Sequence, residues 1–353
     1  MESALLSKFD SDTGVLIIGH GSRNKRASLE FVEFAEAIKT FLPNIPVEHA
    51  FLEFSKPIIF EALDLLRDKS VKKVIAIPAM LFAAGHAKND IPAVLKSYSL
   101  LTGLEILYGR ELGLNNLMIG AAGSRLKESI SKSTEIPISE TLLVVAGRGA
   151  SDPDANSNVS KITRVLVEAL GFGWGETVFS GVTFPLVEPG LRQMVKLGFR
   201  RIIVFPYFLF SGVLVSRIRK QTEKVAFEHP EIDFISAEYL GNHPYVIENF
   251  LERVDEVFKG ETAMNCSLCK YRSDLMGFEK DVGSPQESHH HHFEGLTDDG
   301  CSLCESECTG DCDLAQKESV HNSHEIDPSA HLNHPFGPVI SSKSTEPKFK
   351  KIK

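Results

Sequence analysis

Short apolar runs alternate with amphipathic stretches along the first 260 residues, and the alternation occurs twice. Residues 14–19 form an almost wholly apolar run ending at glycine, the pattern of a buried parallel strand. Residues 25–42 follow with Leu29, Val32, Phe34, Ala35 and Ile38 at helical spacing, and the pattern stops at Pro43. Further strands are expected at 47–52 and 73–81, with a helix over 57–67 that carries Pro57 in its first turn. A helix from about Asp90 to Leu101, a strand at 104–107 and a helix over 115–131 complete the first unit. The second unit predicts strands at 142–146, 178–182, 202–206 and 233–236, and helices over 157–170, 186–197, 213–228 and 244–258. Strand alternating with helix implies an α/β fold, a doubly wound parallel sheet with helices on both faces.

The two units are one segment repeated 128 residues apart without a gap. Leu16-Ile17-Ile18-Gly19-His20-Gly21-Ser22 matches Val144-Val145-Ala146-Gly147-Arg148-Gly149-Ala150, and the run from Val71 to Phe82 matches the run from Phe199 to Phe210. Two tandem domains are therefore expected at 12–135 and 136–260, each long enough to bury a core of its own. From Gly260 onward the periodicity vanishes, and 261–353 reads as a largely disordered Cys/His-rich tail.

Composition changes this picture in one respect. The chain's net charge of −9 arises mainly in the tail, which holds 16 Asp+Glu against 9 Lys+Arg. The tail also holds all six cysteines and eight of the thirteen histidines. The acidity thus says nothing about what the two domains bind, and no basic stripe suggests nucleic acid. No apolar run reaches the roughly 18 residues of a membrane span, and no secretory pattern opens the sequence, so a cytoplasmic protein is expected. In that compartment clustered cysteines point to metal or redox chemistry more than to disulfides.

Apolar positions match apolar positions between the copies, but three polar residues at strand ends are replaced. His20 becomes Arg148, Glu53 becomes Gly181 and His86 becomes Leu214. His20 and Glu53 directly follow the first and second strands, and His86 comes a few residues after the third. Ligands of open parallel sheets bind at those carboxyl ends. Taken singly, His20 also fits a turn residue and Glu53 a solvated loop carboxylate. Loss of all three from a copy that keeps the core favours chemistry over packing. Neutral imidazoles bind Co²⁺, Ni²⁺, Fe²⁺ and Zn²⁺, and imidazole or carboxylate takes up protons near neutral pH. The segment from Leu81 to Gly85 is apolar and small enough for a flat ligand to lie against. Arg23, Lys25, Arg26, Lys88, Arg148, Arg217 and Arg219 form a possible basic rim for an anionic substrate, although each also fits a solvated helix start. Gly19 to Ser22 lacks the spacing of a phosphate loop.

Ile18-Gly19-His20-Gly21-Ser22, Glu53 and the segment from Pro78 to His86 resemble the class II chelatases. The two-copy layout, Met264-Asn265-Cys266-Ser267-Leu268-Cys269 and the run from His289 to His292 resemble the long-form sirohydrochlorin cobaltochelatases of the CbiX type. The resemblance spans about residues 14–272. It implies insertion of Co²⁺ into sirohydrochlorin on the early-cobalt route to cobalamin. His20 and His86 would hold the metal, with His20 the proton acceptor. Leu81, Phe82, Ala83, Ala84, Gly85 and His86 would meet the tetrapyrrole. Glu53 is a further candidate for catalysis and substrate contact, and the exchange of His20 for Arg148 in the second copy suggests, apart from the resemblance, that Arg148 faces an anionic substrate. The resemblance further implies an iron–sulfur cluster on Cys266 and Cys269. The additional Cys301, Cys304, Cys308 and Cys312 leave open a shared cluster or a separate Zn²⁺ site. Fe²⁺ insertion giving siroheme uses the same ligands and remains the nearest alternative. A metal-storage or metal-delivery protein whose tail is the working part, and a two-domain periplasmic-type binding protein, are the alternatives of other classes. Oligomeric state is not encoded in any of these motifs.

Overall fold

The computed structural model describes residues 5–264 except 134. The tail's cysteines and histidines lie outside the described residues. Two four-stranded, wholly parallel sheets form the frame. The first contains β1 (Thr13–Gly19), β2 (Val47–Phe51), β3 (Lys73–Pro78) and β4 (Glu105–Tyr108), in the order β2-β1-β3-β4. The second contains β5 (Thr141–Gly147), β6 (Trp174–Phe179), β7 (Arg201–Pro206) and β8 (Asp233–Ser236), in the matching order β6-β5-β7-β8. Between them in sequence run α1 (Lys25–Thr40), α2 (Ile59–Asp68), α3 (Ile91–Thr102), α4 (Asn116–Ser131), α5 (Pro153–Leu170), α6 (Val187–Met194), α7 (Val213–Glu228) and α8 (Pro244–Lys259). No described helix is long and apolar enough to cross a membrane.

Several boundaries differ from the sequence reading, each for a local reason. The helix expected at 57–67 starts at Ile59, because Ile58 is extended and serves as its N-cap, which leaves Pro57 outside the helix. The strand expected at 178–182 is Trp174–Phe179, since Val182 adopts a positive φ of 66° that ends extended structure. The helix expected from 157 begins at Pro153. Asp152 caps it by accepting from the Asp154 N–H, and proline suits the first position. Before α3 the chain makes a π-helical turn over His86–Asp90.

Each half buries a cluster of its own on the outer face of its sheet, and a further cluster joins the two halves. Alternation along β1 sends Leu16 and Ile18 to an outer cluster with α2 and α3, and Val15 and Ile17 to an inner one. The inner cluster joins both sheets through α1, α4, α5 and α8. Here α8 packs on α1, α4 and β3, elements of the first half. Phe250 of α8 meets Phe34 of α1 edge to face at 5.7 Å, and both are fully buried. Arg125 on α4 donates to the Leu240 carbonyl at 2.9 Å, and Asn249 Nδ2 donates to the Leu112 carbonyl at 3.0 Å.

A shared core predicts joint unfolding. In urea, the fluorescence of Trp174, the single tryptophan, reports the second half, while circular dichroism reports both. The two transitions are expected to coincide. Phe250→Ala is expected to lower stability by about 3–5 kcal/mol with both signals shifted together. Separate midpoints for the two signals would contradict a common core.

Candidate functional site

The sheet registers bring the strand ends level. Gly19 pairs with Phe51 across β1 and β2, and Ile18 pairs with Pro78 across β1 and β3. In this strand order the connections change direction between β1 and β3, where a crevice opens at the carboxyl edge. His20 follows β1, Glu53 lies two residues beyond β2, and His86 heads the π-helical turn after β3. Their ligand atoms all lie within 4.8 Å of one another. His86 Nε2 is 3.9 Å from Glu53 Oε1. The two imidazole rings stand nearly perpendicular, with centroids 4.9 Å apart. Glu53 is fully buried, which removes the reading of a solvated loop carboxylate. A buried carboxylate beside two imidazoles suits a cation at that spot.

Asp90, which the sequence reading did not single out, orients His86. Its Oδ2 lies 2.6 Å from His86 Nδ1, and its Oδ1 accepts from Asn89 Nδ2 at 2.9 Å. A proton on Nδ1 held by this carboxylate leaves the Nε2 lone pair facing Glu53 and His20, the usual support for a ligating imidazole. The His-x-x-x-Asp spacing across one helical turn was the available signal.

Backbone geometry explains the paired glycines. Gly21 has φ +91°, and a Cβ there would come within 1.6 Å of the Glu53 carbonyl oxygen. The Glu53 N–H donates to the His20 carbonyl at 3.0 Å, so the two loops are joined directly. The second copy repeats the arrangement. Gly149 has φ +86°, and its added Cβ would come within 1.9 Å of the Gly181 carbonyl oxygen. The loop scaffold is thus common to both copies, whereas His20, Glu53 and His86 are present in one.

A cleft of about 440 Å³, walled by both halves, is lined by His20 and His86, while Glu53 is buried and does not line it. Leu81, Phe82, Ala84 and His86 line it, while Ala83 and Gly85 are buried beside it. Phe82 stacks on Tyr207 of the second half, with centroids 5.7 Å apart. Arg148, the counterpart of His20, reaches into the open space of the cleft although protein surrounds it. That surrounding pushes its guanidinium below the ordinary value, and the charge of Glu53 acts the other way. Arg23 also lines the cleft and stands 4.8 Å over the Phe54 ring.

The expected basic rim is otherwise not assembled. Lys25, Arg26, Arg217 and Arg219 do not line the cleft. Arg26 pairs with Glu30 at 3.1 Å and Arg219 with Glu238 at 2.8 Å. Lys88 is buried and bonds to Asp152 and Asp154 of the second half. Burial works against its charge, but those two carboxylates outweigh it and hold the ammonium above its ordinary value. A partner distant in sequence supplies this contact, so residue type alone could not reveal it.

Comparison with known proteins agrees with this arrangement. The CbiX family model matches residues 14–129 and again 142–257. A sirohydrochlorin cobaltochelatase of Priestia megaterium is 38% identical over 264 residues, covering 74% of this chain and 85% of that protein. A sirohydrochlorin ferrochelatase of the same organism is 28% identical over 245 residues, covering 69% and 90%. The solved structure of SirB from Bacillus subtilis with Fe³⁺ superposes with a TM-score of 0.63 at 27% identity, covering 72% of this chain and all of that one. With both halves matched and the cleft formed between them, the chain belongs to the CbiX family.

Proposed function

We propose that the protein is a sirohydrochlorin cobaltochelatase, with 12–135 carrying the active site, 136–260 closing the cleft without ligands of its own, and 261–353 as a tail. The observation that carries this reading is the convergence of His20, Glu53 and His86 within 4.8 Å beneath an apolar cleft. Metal insertion needs an ion held in exchangeable fashion, a face on which a flat macrocycle can lie, and acceptors for two pyrrole N–H protons. His20 and His86 hold the incoming divalent ion, and Leu81, Phe82 and Ala84 support the ring. As the ion passes to the four pyrrole nitrogens, the two displaced protons leave through His20 and Glu53. The macrocycle loses two positive charges and gains two, so its charge is unchanged. Arg148 meets a carboxylate of the substrate by a charge-assisted bond.

Cobalt is preferred over iron because the 38% identical relative acts with cobalt and the ferrochelatase of the same organism is 28% identical. The ligand set alone accepts either ion. An iron–sulfur cluster on Cys266 and Cys269, with Zn²⁺ as the alternative, rests on the family resemblance, as does a cytoplasmic location.

Anaerobic protein mixed with sirohydrochlorin and Co²⁺, Fe²⁺ or Ni²⁺ is expected to speed the change in pigment absorbance most with Co²⁺. No acceleration with any metal would end the chelatase reading. His20→Ala and His86→Ala are each expected to slow insertion by at least about a hundredfold, and full rates would remove these residues from the site. For Arg148→Ala the expected change is a KM for the tetrapyrrole raised about tenfold or more. An unchanged KM would place Arg148 outside substrate binding. In the tail, Cys266→Ser with Cys269→Ser is expected to abolish iron and acid-labile sulfide in anaerobic protein. Zinc content in the wild type instead of iron and sulfide would contradict a cluster.

A further inference from the structure

The duplication provides a built-in control for one contact. Each half presents the helix start after its third strand to the first helix of the other half. On one side the His86–Asp90 turn meets the N-terminus of α5. On the other side the start of α7 meets α1, where the Ser211 N–H donates to Glu30 Oε2 at 2.6 Å and a Cβ at Gly212 would touch Ala27 at 3.8 Å. The two contacts are related by the repeat but differ in chemistry.

On the His86 side, Lys88 Nζ lies 2.8 Å from Asp152 Oδ2 and 3.0 Å from Asp154 Oδ2. The three side chains are 4%, 0% and 5% exposed. Their counterparts at the same offset are Ser216, Asn24 and Arg26, which cannot form such a triad. The turn itself differs as well. Residues 86–90 are π-helical, while their counterparts 214–218 belong to the regular helix α7. Single π-turns are frequent at functional sites. The triad and the π-turn occur only on the side that carries the metal-ligand candidate.

A buried ion triad is a poor source of stability, because desolvation consumes most of the attraction; its best-attested use is to fix register. Residues two apart on a helical turn project in different directions, so Lys88 can hold the turn from one side while His86 faces the cleft. We propose that Lys88, Asp152 and Asp154 are positioning residues. Through them the second half clamps the His86 turn so that Nε2 stays in register with His20 and Glu53. The inference rests on reading those three residues as the metal site. It gives the second half a task in metal binding although it contributes no ligand.

The test is a Co²⁺ titration of the full-length protein, followed by cobalt absorption and taken as the difference from His86→Ala, so that binding by the tail cancels. Lys88→Met alone strands two buried carboxylates. The main variant is therefore Lys88→Met with Asp152→Asn and Asp154→Asn, which buries no charge and keeps a good cap on α5. It is expected to melt within about 4 °C of wild type. Its cleft should bind Co²⁺ at least about tenfold more weakly, with an altered cobalt spectrum, as for lost outer support of a ligating histidine. Wild-type affinity and spectrum in this variant would overturn the clamp while leaving the metal site intact. Identical titrations of wild type and His86→Ala would instead overturn the metal site, and the clamp with it. If the triple variant melts early, Asp154→Asn alone retains the Lys88–Asp152 pair and should show a smaller weakening in the same direction; no weakening there would equally overturn the clamp.

Discussion

The apolar layer shared by the two sheets is the constraint on which the rest depends. A cleft walled by separate sheets keeps its width only if the sheets cannot move independently. Here the inner faces of β1 and β3 and of β5 and β7 bury their side chains in one cluster, with α1, α4, α5 and α8 between them. Packing at interior density resists displacement on the scale of a methyl group. The distance from His20 on one wall to Arg148 on the other is therefore set by residues such as Phe34 and Phe250, which lie far from any chemistry. The loops at the rim, joined by backbone bonds such as Glu53 N–H to His20 carbonyl, inherit that rigidity.

Within this frame the duplication was resolved into scaffold and chemistry. Gly21 and Gly149 make the same close approach to the following loop, and Phe54 and Val182 share a positive φ. Those features are conformational and survive in both copies. The polar set is not shared. Burying a carboxylate as at Glu53 costs free energy, and repeating it in the second half would add that cost again. Gly181 and Leu214 avoid that cost, and Arg148 places a cation where the first copy has His20.

The architecture was legible in the sequence wherever periodicity was strong. Strand positions, parallel pairing and the repeat follow from apolar runs ending at Gly19, Pro78, Gly147 and Pro206. Boundaries slipped where local geometry departs from periodicity, as at Val182 and Pro57. His20, Glu53 and His86 were recognisable because strand ends are positions of function in this fold and because the second copy lacks them. Lys88 was misplaced on a solvent-facing rim, since its carboxylate partners lie in the other half of the chain. Asp90 escaped notice although its spacing from His86 was visible, because an i, i+4 pair acquires meaning only once the turn is known to be helical.

The sequence by itself determined the fold class, the duplication and the replacement of His20, Glu53 and His86 in the second copy. These are encoded by periodicity and by local comparison, which need no knowledge of distant contacts. Only the tertiary structure decided that Glu53 is buried, that Asp90 orients His86, and that both halves share a core. It also decided that Lys88 ties one half to the other. Each of these depends on which surfaces meet across the domain boundary, and that meeting is governed by the summed packing of α1, α4, α5 and α8, not by the pattern of any one segment.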